Sequence, residues 1–107
     1  MTLALPASIA SFFRVSNGGT EPLSSCFAAD AVVHDESHAY QGYASIQSWL
    51  EQARKKYLYK AEPVSYEQSG ETILVVVTYT GTFPGSPVEL THKFRLHEDR
   101  IVFLEIH

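Results

Sequence analysis

Thr72-Ile73-Leu74-Val75-Val76-Val77-Thr78-Tyr79-Thr80-Gly81-Thr82-Phe83 and Val88-Glu89-Leu90-Thr91-His92-Lys93-Phe94-Arg95-Leu96-His97 are the most informative runs in the chain. The first is rich in β-branched and aromatic residues, and both read with a period of two. In the second, Leu90, His92, Phe94 and Leu96 share one face, and Glu89, Thr91, Lys93 and Arg95 share the other. In the first, Ile73, Val75, Val77, Tyr79 and Phe83 fall together. Pro84-Gly85-Ser86-Pro87 separates the runs as a turn, because neither proline can serve an inner ladder. Glu98-Asp99 turns the chain again before a last strand, Ile101 to Ile106. The change of period begins near Ala61, with an earlier strand at Val64 to Gln68 closed by a Ser69-Gly70 turn. Connections this short join the last three strands as an antiparallel meander.

Upstream, the spacing predicts helices. The first runs from Pro6 to Ser16, with Leu5, Ile9, Phe12 and Phe13 on one face. Pro6 suits a first turn, and Asn17-Gly18-Gly19 tolerates the positive φ of a helix end. Thr20 reads as the N-cap of a short second helix containing Glu21 and Pro22, with Leu23, Cys26 and Phe27 facing inward. Ala31 to Asp35 reads as a short strand, Glu36 to Gly42 as a polar loop, and Ala44 to Tyr57 as a third helix. Ile46, Trp49, Leu50, Ala53 and Tyr57 form its apolar stripe. Helices first and strands later is the order of an α+β domain.

The composition agrees with one globular domain spanning residues 1–107. The chain is 45% hydrophobic and 19% charged, with a formal net charge of -4. That acidity argues against nucleic acid as a partner, whose footprint is a basic face. The one basic cluster, Arg54-Lys55-Lys56, reads as a solvated helix face. The longest plainly apolar run, Ile73 to Val77, is far short of the ~20 residues that span a bilayer. Met1-Thr2-Leu3-Ala4-Leu5-Pro6 lacks a basic n-region, so a cytoplasmic location is expected. Cys26 stands alone, which excludes an internal disulfide or a multi-cysteine zinc site, and it reads as a core residue.

Three segments resemble the nuclear transport factor 2-like superfamily, in its SnoaL-like and ketosteroid isomerase-like branch. Phe27-Ala28-Ala29-Asp30-Ala31-Val32-Val33-His34-Asp35 resembles the family's entry into its first strand. Tyr40-Gln41-Gly42-Tyr43-Ala44-Ser45-Ile46 resembles its lead into the third helix. Glu89 to Leu96 followed by Ile101-Val102 resembles a late hairpin of SnoaL-like members. The resemblance covers nearly the whole chain. It implies a cone-shaped, cystatin-like roll, with three N-terminal helices packed on a curved, mainly antiparallel sheet that encloses a pocket. It also implies a homodimer through the outer sheet face, where Leu74, Val76, Thr78 and Thr80 lie beside Lys93 and Arg95. The fold carries isomerases, cyclases, dehydratases and binding modules, so it does not by itself identify a reaction.

By the same resemblance, Asp35 aligns with the general base of the ketosteroid isomerases, and His92 with an oxyanion-stabilising acid. A carboxylate in an apolar cleft facing a hydrogen-bond donor is what proton abstraction beside a carbonyl needs. Val75, Val77 and Tyr79 align with pocket-lining positions, and Phe12, Val33, Trp49, Tyr57 and Phe94 complete the expected lining. Phe12 stands where those isomerases carry a tyrosine, and it cannot donate a hydrogen bond; Tyr79 or Tyr57 are the available substitutes. SnoaL-type cyclases carry an acid in the last strand, where this chain has Ile106. Neither catalytic set is complete. The expectation is a hydrophobic small-molecule ligand and no cofactor. The plainer reading gives Asp35 loop amides to accept from and gives His92 a core hydrogen bond. His34, Asp35, Glu36 and His38 straddle a strand and a loop, so no metal site is expected from them.

Overall fold

Ile9, Phe12 and Phe13 recur at helical spacing because one face of α1 (Ala7–Ser16) has to be buried, and all three are. The computed structural model describes residues 4–107. Met1–Leu3, part of the segment read for a leader, lie outside the described residues. Pro6 precedes the first turn of α1, and Asn17 follows the last. Gly18 then takes φ +100°, and a Cβ on Gly19 would stand 2.7 Å from the Arg14 carbonyl oxygen. The two glycines therefore fold the chain back against its own helix.

The expected second helix is not one. Only a 3-10 turn, Leu23–Ser25, forms there. The reason is competition from the sheet. Phe27 already pairs with Ile101, and the Ile101 amide donates to the Cys26 carbonyl at 2.7 Å. Three residues after Pro22 cannot complete an α-helix before that pairing begins. Leu23, Cys26 and Phe27 still face inward. The architecture is thus α+β with two helices and a 3-10 turn, a correction to the three helices expected.

Six strands make one mixed, mostly antiparallel sheet: β1 Phe27–Asp35, β2 His38–Gln41, β3 Tyr59–Ser69, β4 Thr72–Gly81, β5 Val88–His97 and β6 Arg100–Ile106. Their order is β2-β1-β6-β5-β4-β3. The meander β3 to β6 ends beside β1, and that pairing is the parallel one. β2 replaces part of the expected polar loop. Glu36 and Ser37, with φ 50° and 67°, turn a two-residue hairpin between β1 and β2. Such turns favour Asn-Gly, and Glu-Ser carries no such signature. β3 begins at Tyr59, before the expected Val64. Its Pro63 is tolerated because β3 is an edge strand with an irregularity at Pro63–Ser65.

α2 (Gly42–Lys56) buries Ile46, Trp49 and Leu50 and packs mainly on β1. On β4, Ile73, Val75 and Val77 are buried, while Leu74 keeps 37% of its surface exposed. The inner and outer faces follow the expected alternation. Phe12 sits centrally, edge-on to Phe13, Phe27 and Phe94 and parallel to Trp49.

Side-chain clamps join helix ends to β3. Asn17 donates to the Ala61 carbonyl at 2.9 Å and accepts from its amide at 2.7 Å, standing in for a neighbouring strand. Arg54 donates to the carbonyls of Tyr59 and Ser16 and lies over the Tyr59 ring. It is therefore a structural tie, not part of a solvated face.

Candidate functional site

A cleft of about 770 Å³ opens between α2, the β1–β2 hairpin and the β4–β5 turn. That volume suits a small organic ligand. Six aromatic side chains line it: Tyr40, Trp49, Tyr57, Tyr59, Tyr79 and Phe83. Leu90 and Ile106 add apolar surface from the inner sheet face. Ser48, Gln52, Lys55 and Lys56 come from α2, and Glu36 and His38 from the hairpin.

Asp35 lines this cleft at the end of β1. The backbone turn at Glu36–Ser37 ends the strand there, and His38 pairs directly across from it. The Trp49 indole Nε1 donates to Asp35 Oδ2 at 3.0 Å. Partial burial pushes the Asp35 carboxyl above the usual aspartate range; the Trp49 N–H opposes this, and the Glu36 charge adds to it. Trp49 is itself braced between Tyr40, 6.0 Å away by ring centroids, and Phe12.

His92 is fully buried. Its Nε2 lies 2.7 Å from the Tyr79 hydroxyl oxygen, and its Nδ1 has no partner among the described residues. Burial, with a smaller contribution from His107, holds its pKa down at about 3, so the ring is neutral at physiological pH. Tyr79 lines the cleft and His92 does not. Burial also raises the Tyr79 phenol above its ordinary value, with Tyr59 and Asp35 adding to the rise.

The structure thus brings Asp35, Trp49, Tyr57 and Tyr79 to one cleft. Phe12, Val33, Val75, Val77 and Phe94 are buried in the core and do not line it. Sequence reasoning missed Tyr40, Gln52, Tyr59 and Phe83 as wall residues. Recognising the hairpin would have placed Tyr40, since it alternates with His38. Gln52 follows Trp49 by three residues on α2 and shares its face. His34 lies on the opposite sheet face, exposed and 5.4 Å from the Phe103 ring. Among the described residues, no three His, Cys, Asp or Glu side chains gather as metal ligands. Cys26 is buried with its thiol pushed up to about 11, first by burial and then by Glu21.

An α+β domain with a half-buried carboxylate in an aromatic cleft is the class that fold and geometry define. The chain matches the model of the SnoaL-like domain over residues 8–104, and it belongs to that family. A crystal structure from Sinorhizobium meliloti, described as a "putative polyketide cyclase", is 40% identical, with a TM-score of 0.90 over 96% of this chain and 95% of that one. A Catenulispora acidiphila protein with a ketosteroid isomerase-like fold, in complex with trimethylamine, shares 17% identity at a TM-score of 0.81, covering 97% of this chain and 86% of that one. An Agrobacterium tumefaciens structure described as a "putative isomerase of the SnoaL-like family" shares 17% at 0.75, covering 94% of each chain. The last two show the fold alone. No curated protein matches the chain.

Proposed function

We propose that this SnoaL-like domain is a cofactor-independent isomerase, cyclase or dehydratase that moves a proton beside a carbonyl of a hydrophobic small molecule. The observation that carries the reading is Asp35. It is a carboxylate of raised proton affinity, aimed by Trp49 and set in an aromatic cleft large enough for an organic ligand. Asp35 takes the proton from carbon and returns it. Burial brings its proton affinity closer to that of the group it serves. Trp49 fixes the carboxyl plane, and Tyr40, Tyr57 and Phe83 exclude water from an apolar body. His92 is expected to polarise the oxygen; being sealed, it acts there through Tyr79. The 40% identical "putative polyketide cyclase" supports this reaction class.

Replacing Asp35 with Asn tests the reading. The side chain keeps its shape and still accepts from Trp49, but it cannot take a proton. Screened on small cyclic ketones and polyketide-like diketones, the wild type exchanges the α-proton for deuterium. Asp35→Asn loses that exchange by about 10²-fold or more. A variant that exchanges at the wild-type rate overturns the proposal.

A second reading has its own observation. The outer sheet face presents Leu74, with Val76 on the same strand and Phe103 two strands away, both half-buried. Arg95 lies over Phe103 at 5.8 Å. This surface supports assembly of two copies through the sheet, alongside catalysis or in place of it.

A further inference from the structure

Building on the proton-transfer reading above, we propose that Tyr79 donates the hydrogen bond to the substrate oxygen, and that His92 is the positioning residue that keeps Tyr79 a donor. His92 is enclosed by aromatic rings, with Phe12, Phe13 and Phe94 within 6.0 Å by centroids. Nε2 meets Tyr79 Oη, and among the described residues Nδ1 meets no hydrogen-bond partner. A neutral imidazole has one N–H and one bare lone pair. Two arrangements are open.

In the first, the proton sits on Nδ1 and Tyr79 donates to Nε2. That strands an N–H in an aromatic box and spends the only proton of Tyr79 on the protein. In the second, the proton sits on Nε2 and is donated to Tyr79 Oη. Only a lone pair is then left bare, and buried N–H groups without acceptors are the rarer and costlier defect. The second arrangement is favoured. It leaves the Tyr79 O–H with no protein acceptor among the described residues, on a side chain that lines the cleft.

The chemistry then balances simply. Asp35 takes a proton from carbon, and the electron pair of that C–H bond moves onto the carbonyl oxygen. Tyr79 donates a hydrogen bond to the growing negative charge and keeps its proton. The high proton affinity of the buried phenol suits that role. His92 stays neutral throughout, and its N–H polarises the phenol in the donating direction. A buried imidazole with one unmet nitrogen is costly for a merely structural filler. Holding a tyrosine in one hydrogen-bonding sense gives it a purpose.

The test reads the tautomer directly. The protein is labelled with ¹⁵N-histidine, and long-range ¹H–¹⁵N correlations are recorded at neutral pH. The His92 ring is assigned by its absence from His92→Phe. The expected pattern is a protonated Nε2 and a bare Nδ1, with the Nε2 signal moving in Tyr79→Phe. A protonated Nδ1 overturns the proposal. A second measurement uses 4-nitrophenol as a probe that carries its charge on oxygen, followed by phenolate absorbance in an Asp35→Asn background. Adding Tyr79→Phe should weaken phenolate binding about tenfold, the loss of one hydrogen bond; His92→Phe should fall between. Equal binding with and without Tyr79, or none in either, overturns it. If Asp35→Asn keeps proton exchange while His92 shows the Nε2–H form, the base assignment fails and the donor assignment stands. The Nδ1–H form with Asp35-dependent exchange rejects the donor alone.

Discussion

Trp49 spends its indole N–H on Asp35, and this bond sets the carboxyl's proton affinity against its burial. Removing the donor leaves burial unopposed. Trp49→Phe keeps a stacked ring against Tyr40 and Phe12 but lets the Asp35 pKa climb further. An NMR titration of the Asp35 carboxyl carbon should show its midpoint moving to higher pH, and the base limb of the proposed proton exchange should move with it. The sign for stability follows from the same shift. A carboxyl whose folded pKa lies above its unfolded value favours the fold at low pH and loses that advantage as pH rises through the folded pKa. Asp35→Asn should therefore match or exceed the wild type in thermal stability at neutral pH. His92 works the other way. Its folded pKa, about 3, lies below the ordinary 6.5, so the neutral ring stabilises the fold above 6.5 and that contribution drains as pH falls toward 3. The slope is about 1.4 kcal/mol per pH unit in that window. His92→Leu should flatten it in urea denaturation at a series of pH values.

At the scale of elements, the cleft depends on how β3 meets β4. Tyr59 pairs with Gly81, and a Cβ on Gly81 would stand 2.1 Å from the Leu58 carbonyl oxygen and 2.9 Å from Tyr59 Cα. Both are backbone atoms, so no side chain can swing aside. Gly81→Ala should lower stability by about 1–3 kcal/mol in denaturant melts. It should also disturb Tyr59, whose hydroxyl is 2.9 Å from Ser16 Oγ and whose ring lines the cleft. The β1–β2 hairpin is the other delicate element. Two successive non-glycine residues at positive φ hold Asp35 at the strand end, where it can face α2.

For the whole molecule, the two faces of the sheet differ in what covers them. The inner face, with α1 and α2 over it, holds the core and the cleft. The outer face leaves Leu74 exposed between Glu67 and Lys93 in register. Among the described residues, no helix is long and apolar enough to cross a membrane. Analytical ultracentrifugation of the wild type should give a mass of two chains. Leu74→Glu should give one chain with unchanged circular dichroism, since a glutamate beside Lys93 suits a solvated face but not a buried one. A wild type that stays monomeric at every concentration tested would remove the dimer.

Local sequence was enough for the α+β class, the extents of α1 and α2 to within a few residues, and the inner and outer faces of β4 and β5. Those follow from local periodicity, and burial of one face enforces it. It also placed Asp35 and Tyr79, because strand alternation aims both inward. The rest depended on contacts between distant parts of the chain. Sheet pairing at Phe27 and Ile101 reduced a helix to a single turn, and an unmarked Glu36-Ser37 turn made β2. Periodicity could say that Phe12, Val33, Val75, Val77, His92 and Phe94 point inward. It could not say whether inward meant cleft or solid core, because that depends on where distant helices pack. Packing put those six in the core, left His92 touching the cleft only through Tyr79, and gave Asp35 its partner in Trp49.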